Sequence, residues 1–301
     1  MNNVYDVLQK KQATMNGQDR IPKEEFAQQM KERRDELNQM VDSELDKIKS
    51  DPQAYLNYLD KQAMFDQYTV SNTLLIMAQK PDATVIKASD KWREDKSYIR
   101  KGEKGFTILE PKDDYIKDDG STGKNYKMKS MFDISQLQKP PLIPEKETLK
   151  VDELVGSLSY KTPAQITVVD TNMNGQGVFY SMENKQISVA KNLEPQQLLT
   201  GLATECCFAE LDPHSEKFSR EDLTFPAMSA AYMLCKKYGI ETPSTEFANQ
   251  VKDYLGDLDN KDVKSYLANY KDTFDEVSKR MENGLYAQSV HKQKEHNNVE
   301  R

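Results

Sequence analysis

Three absences bound what this chain can be. Only three cysteines, two of them adjacent, stand among 301 residues. They cannot build a disulfide framework, so the sequence predicts a reducing compartment. Long apolar runs are also missing: no stretch approaches the ~20 residues that cross a bilayer. The N-terminus is polar and lacks the apolar core of a signal peptide. The expectation is a soluble, cytoplasmic protein with no membrane partner. An excess of positive charge is the third absence. Forty-two Lys and Arg oppose 49 Asp and Glu, a formal net charge of −7. That excludes a uniformly basic coat for nucleic acid and leaves room for a local basic patch.

What is present is a polar chain, 37% hydrophobic and 30% charged, long enough for one large or two ordinary domains. It carries no internal repeat and no low-complexity tract. The pattern predicts an α+β fold in two domains. Residues 1–50 read as an arm and an amphipathic helix. Pro22 stands at the helix start, Glu24 and Glu25 follow, and Met30, Leu37, Met40, Val41, Leu45 and Ile48 recur at helical spacing. Residues 51–138 form the first domain, with helices from Asp51-Pro52 and over 70–78 and a strand at 83–87. A hairpin follows in which 98–100 and 106–109 flank Lys101-Gly-Glu-Lys-Gly105, then an exposed loop at 113–124 and a strand at 126–134. Residues 139–149, with Pro140, Pro141 and Pro144, read as a linker.

The second domain, 150–285, opens with a helix at 151–158 and a strand at 166–169. A hairpin over 177–180 and 186–189 comes next. The helix Pro195–Leu211 follows, then helices at 225–238, 244–255 and 259–281; Gly239 ends the first of these. After Gly284 the composition predicts a polar, fraying tail, 286–301.

Function classes emerge from two stretches. Between 92 and 104, Arg93, Lys96, Arg100, Lys101 and Lys104 outnumber Glu94, Asp95 and Glu103, and Trp92, Tyr98 and Phe106 interleave. Cations along a backbone with rings for stacking are what single-stranded nucleic acid uses. Gly102 and Gly105 would let a phosphate approach. The bland alternative is a solvated hairpin whose Trp92 and Phe106 rings pack in the core.

The run 68–79 with its Ser71-Asn72-Thr73-Leu74-Leu75, then Pro81, Trp92, and Ile99-Arg-Lys-Gly-Glu-Lys-Gly-Phe106, resembles the N-terminal domain of ArdC-type antirestriction proteins. The strand ending Phe132-Asp-Ile-Ser-Gln136 is similar as well. The likeness covers roughly 55–137. It implies single-stranded DNA binding on a mobile genetic element such as a conjugative plasmid or phage. Asn72, Trp92, Arg100, Lys101 and Lys104 then occupy the contact positions, and Leu74, Leu75 and Ile76 the core.

Residues 150–285 resemble the zincin-like metallopeptidase half of the same family. Zincins grip zinc with His-Glu-x-x-His on one helix, and the glutamate activates water. Here that frame reads Thr204-Glu205-Cys206-Cys207-Phe208. The Glu-Ser-x-Ala-Tyr frame of the third ligand reads Met228-Ser-Ala-Ala-Tyr232. Thr204, Phe208 and Met228 are not a zinc set, and Glu205 without a metal cannot generate a nucleophile. The expectation is a catalytically dead peptidase fold with no metal and no cofactor, in which Phe208 and Met228 pack together and Glu205 survives by bonding a strand-edge amide. A rescue by Cys206 or Cys207 with His214 is the nucleophilic alternative.

The resulting expectation is an antirestriction-like, single-stranded DNA-binding protein whose second domain is a scaffold or partner surface. A host restriction or defence protein is the expected protein partner. Two alternatives stand: a metal-dependent protease with an atypical ligand set, and a protein-interaction module without DNA binding.

Overall fold

The computed structural model describes residues 22–112, 115–116, 122–123, 125–144, 148–170, 177–212 and 219–299. The chain divides into two compact units, 1–40 and 41–301. The described part of the first is the start of helix α1, Lys23–Ile48, whose exposed face carries the Arg33–Glu36 pair at 2.7 Å.

The second unit takes over within the same helix, where Val41, Leu45 and Ile48 are buried at spacings of four and three. Asp51 caps helix α2, Pro52–Met64, by accepting from the Gln53 amide at 3.0 Å, and Pro52 fits the first turn. Thr69 caps α3, Val70–Gln79. Strand β1 (Ile86–Lys87) and helix α4 (Ser89–Glu94) precede β2 (Phe106–Pro111), β3 (Tyr115–Ile116), β4 (Thr122–Gly123) and β5 (Tyr126–Asp133). Antiparallel pairing gives the order β1-β5-β2, with Phe106 opposite Met131 and Ile86 opposite Asp133. Phe65, Ile76, Phe106, Ile108 and Met131 make the core between this sheet and its helices. The expected loop at 113–124 contains a ladder, β3 with β4.

Helix α5 (Val151–Ser159) leads to β6 (Gln165–Val169), β7 (Val178–Ser181) and β8 (Gln186–Ala190). The β7–β8 hairpin forms where the alternation predicts it. β6 joins β8 in parallel, and the order β6-β8-β7 leaves β7 on the edge. Helices α6 (Pro195–Leu211) and α7 (Arg220–Tyr238) follow, then a 3-10 turn (Thr245–Gln250), α8 (Val251–Leu255) and α9 (Asn260–Val299). Among the described residues no helix is long and apolar enough to cross a membrane.

Three expectations are corrected. The 98–100 run does not pair with 106–109. Ile99 bridges Leu137, and β2 pairs with β5 instead. The polar interval between the runs is therefore a connection and not a hairpin turn. Helix α9 does not end near 281 but runs through Gly284 to Val299. A Cβ at Gly284 would stand 2.8 Å from the Tyr160 Cβ and 3.0 Å from the Ser157 Cα, so this glycine permits close helix packing. Beyond it Gln288 donates to the Glu153 carbonyl at 3.1 Å and Lys292 pairs with Glu153 at 2.6 Å, anchoring residues that composition presents as a tail. Helix α7 starts five residues before its apolar run, because Ser219 and Asp222 form a capping box.

The two halves share one aromatic core. Tyr55 of α2 stacks on Phe225 of α7 at 5.2 Å between ring centres, Phe225 on Tyr254 at 4.6 Å, and the Tyr55 hydroxyl meets the Ser229 hydroxyl at 2.5 Å.

Candidate functional site

The basic stretch forms a tight turn held by side chains. The Glu103 amide donates to the Arg100 carbonyl at 3.3 Å, and Gly102 sits at φ 91°, a left-handed conformation that glycine adopts without strain. The Arg100 amide donates to the Gln136 carbonyl at 3.0 Å, tying the turn to the 3-10 turn (Ile134–Gln136) that follows β5. The Arg100 guanidinium reaches Glu103 Oε1 from Nε at 2.9 Å, while Gln136 Nε2 donates to Glu103 Oε2 at 3.0 Å and to the Lys104 carbonyl at 2.9 Å. Those bonds, from Gln136 first and Arg100 next, hold the Glu103 carboxyl below its usual range. Its charge is thus absorbed inside the turn. Lys101 and Lys104 stand exposed on it. A Cβ at Gly102 would meet nothing within 4 Å, so that face is open. One at Gly105 would fall 2.1 Å from Ser130 Oγ and 3.0 Å from the Met131 carbonyl. Gly105 therefore serves the packing of β2 on β5 and not the approach of a phosphate.

The five expected contact residues do not share one surface. Arg100 is half exposed and engaged with Glu103; Lys101 and Lys104 face solvent. Asn72 and Trp92 lie inside the fold, 6% and 1% exposed. The Trp92 indole donates to the Phe132 carbonyl at 2.9 Å, and Phe106 is buried in the core of the sheet, so these two rings follow the bland alternative. Tyr98 is the ring of this stretch that stays outside, 56% exposed.

Asn72 has a different task. Its Nδ2 donates to the Leu109 carbonyl at 2.9 Å, and its Oδ1 accepts from the Leu109 amide at 2.8 Å. Gln79 repeats the pairing two residues back along β2: its Oε1 accepts from the Thr107 amide and its Nε2 donates to the Thr107 carbonyl, both at 2.9 Å. Two carboxamides seven residues apart, on one face of α3, thus close the outer edge of β2. Sequence reasoning missed Gln79. Its spacing from Asn72 was the available signal.

The second stretch lines a cleft of about 690 Å³ together with the residues around it. Thr204, Glu205 and Phe208 of α6, Met228 of α7, and Gly177 and Val178 at the start of β7 all face it. Thr204 spends its hydroxyl on the Thr200 carbonyl at 2.9 Å. Glu205 is 5% exposed, and its Oε2 accepts from the Tyr180 amide of edge strand β7 at 2.7 Å. That is the strand-edge bond expected of a surviving buried carboxylate.

The partner that sequence reasoning missed is Arg220. From the first residue of α7 its guanidinium meets both Glu205 oxygens, at 2.7 and 2.9 Å, and donates to the Tyr180 carbonyl at 3.0 Å. It lies 3.9 Å from the Phe208 ring centre and 4.5 Å from that of Phe179. Phe208 and Met228 do line one cleft, and Phe208 is covered by the arginine. Burial pushes the Glu205 carboxyl above its usual value, against the opposing pull of Arg220 and the Tyr180 amide.

Neighbouring chemistry is quiet. Cys206, Cys207 and Cys235 are buried and free. Burial raises the Cys206 thiol to about 11 and the Cys235 thiol to about 12, and holds Cys207 well above its ordinary value. None is a ready thiolate. His214 lies outside the described residues. Among those described, no three His, Cys, Asp or Glu side chains come together as a metal site.

Comparisons with known proteins agree with this architecture. Residues 23–137 match the family described as the N-terminal domain of anti-restriction factor ArdC. No curated protein matches the sequence. Two crystal structures of the antirestriction protein ArdC from plasmid R388 align with the chain. The metal-free one aligns at a TM-score of 0.50 and 18% identity, over 72% of this chain and 86% of that one. The Mn(II)-bound one aligns at 0.55 and 16%, over 83% and 97%. Residues 23–137 thus carry a domain of the ArdC N-terminal type, and the chain has the α+β fold of the solved ArdC structures.

Proposed function

We propose that this chain acts as an ArdC-type antirestriction protein and binds single-stranded DNA through the turn at 100–104, in the service of a mobile element entering a cell that restricts foreign DNA. The observation that carries the reading is the turn itself. It projects Lys101 and Lys104 outward while Arg100 neutralises Glu103 and Gln136 hydrogen-bonds it. Tyr98 adds an exposed ring for stacking. Asn72 and Trp92 support the sheet from which the turn projects and do not touch the strand. The functional border between the halves falls in the proline-rich stretch at 139–149, the site of action is the cytoplasm, and a host restriction or defence protein is the expected protein partner.

One of the two solved ArdC structures holds Mn(II). The residues lining this chain's cleft do not fit a metal. Phe208 has no donor atom, Met228 offers a lone thioether, and the Thr204 hydroxyl is spent on the helix. We therefore assign the second half a binding or scaffolding task without peptidase chemistry.

Gel-shift titration with single-stranded and duplex oligonucleotides at two salt concentrations tests the proposal. Single-strand preference that weakens with salt is expected. Equal or absent binding would leave a protein-interaction module as the better reading. Stoichiometric zinc or manganese in the purified protein would restore the protease alternative.

A further inference from the structure

We propose that Arg220 is a built-in replacement for a metal ion: its guanidinium neutralises Glu205 and keeps divalent cations out of the cleft. This rests on the reading of the second half as a metal-free peptidase fold, and it names what took the metal's place.

The chemistry of the position requires some cation. A carboxylate 5% exposed, in a cleft walled by Val178, Phe208 and Met228, is unfavourable without one. Arg220 supplies a delocalised charge in fork geometry, and its flat faces suit a slot between two rings. The same group also ties three elements together. It reaches α6 through Glu205 and β7 through the Tyr180 carbonyl, and it belongs to α7 itself. A metal ion bound by α6 and α7 side chains would link those helices in a comparable way.

Two consequences separate this role from an ordinary ion pair. First, the guanidinium excludes a metal by repulsion. Restoring donors around the cleft would not restore metal binding while Arg220 stays. Second, Glu205 and Arg220 are useful only together. Glu205 alone is a buried, uncompensated charge, and Arg220 alone is a half-buried cation without its counter-ion.

The test is zinc titration, followed by elemental analysis and chelator competition, on the full chain in two forms. One carries Thr204→His, Phe208→His and Met228→Glu. The other adds Arg220→Met, which keeps much of the volume without the charge. The first form should bind no stoichiometric zinc. The second should take up one equivalent, on the order of a thousandfold tighter. Equal zinc affinity in the two forms would overturn the proposal.

Thermal melts in the otherwise native chain decide the matter if the redesigned forms misfold. Arg220→Met should lower the midpoint, and adding Glu205→Gln should recover most of the loss. An Arg220→Met chain as stable as the native one, or a loss that Glu205→Gln does not recover, would also overturn it. Failure of the underlying reading looks different: the native chain, with Arg220 in place, would itself bind one equivalent of metal.

Discussion

Two sheet edges in this protein are sealed by side chains, and they are sealed in opposite ways. Strand β2 is closed by neutral carboxamides: Asn72 and Gln79 each give one donor and one acceptor to one residue of the strand. Strand β7 is closed by an ion pair: Glu205 takes the Tyr180 amide and Arg220 gives to the Tyr180 carbonyl. In both cases a helix side chain does what a further strand would otherwise do. The carboxamide seal is charge-free and lies against the apolar core of its sheet. The ionic seal faces a cleft and carries two charges that must be kept together. The difference shows how one device can close an edge against an apolar core and, elsewhere, close one that borders an open cleft.

The comparison can be broken from either side. The largest effect is expected at the ionic edge. Glu205→Ala strands the Arg220 charge and orphans the Tyr180 amide, and should cost about 3 kcal/mol or more in denaturant melts. A loss below ~1 kcal/mol would show that Arg220 finds water instead.

At the neutral edge, Asn72→Ala leaves one amide and one carbonyl of Leu109 without partners. About 2 kcal/mol of destabilisation is expected, with Gln79→Ala similar. If Asn72 were instead a DNA contact, the variant would melt normally and bind weakly.

A third prediction concerns pH. Asp133 accepts from the Thr84, Val85 and Ser135 amides at 2.7, 3.1 and 2.8 Å, pinning the end of β5 to the segment before β1. Burial would raise its carboxyl, but these bonds outweigh it and hold it below the ordinary value. A depressed folded pKa stabilises the protein above the unfolded value of ~3.9 and loses that stabilisation as pH falls through the lower folded value. Asp133→Asn should therefore cost about 1–3 kcal/mol at pH 7 and less as the medium approaches pH 3, read as a flatter acid limb of the stability curve.

The smallest effect on stability is expected at the turn. Lys101→Glu with Lys104→Glu should shift stability by no more than ~0.5 kcal/mol per site. Single-strand affinity should nonetheless fall, and the salt slope should drop by about 1.4, at ~0.7 for each lost phosphate contact. Unchanged DNA affinity would move the function away from this turn.

Much of the fold was legible because the signals are local. Caps and periodicity placed α2, α3 and α6, and alternation placed the β7–β8 hairpin. The false hairpin at 98–109 arose because β-rich runs do not carry the identity of their partners, and β5 lies about twenty residues further on. The end of α9 was misread for a related reason. Gly284 is a breaker by propensity, and here it is the residue small enough to admit Tyr160 and Ser157. At the site, Glu205 and its strand-edge bond were legible from the motif frame. Arg220 was not, because it lies fifteen residues away and only the packing of α7 on α6 brings it to Glu205.

By itself the sequence determined the fold class and the likeness of residues 23–137 to a known domain. Its period of apolar residues, its ordered motifs and the identities at 204, 208 and 228 needed no coordinates, because each is a property of neighbours along the chain. Tertiary structure alone decided which charges are free and which are spent. Lys101 and Lys104 look no different in the sequence from Arg100, yet only the arginine is tied to Glu103. Trp92 could have been a stacking platform until its indole was found on the Phe132 carbonyl. Arg220 became the counter-ion of Glu205 through the folding of two helices and a strand edge around one cleft. Whether a group is satisfied or available depends on what surrounds it in space.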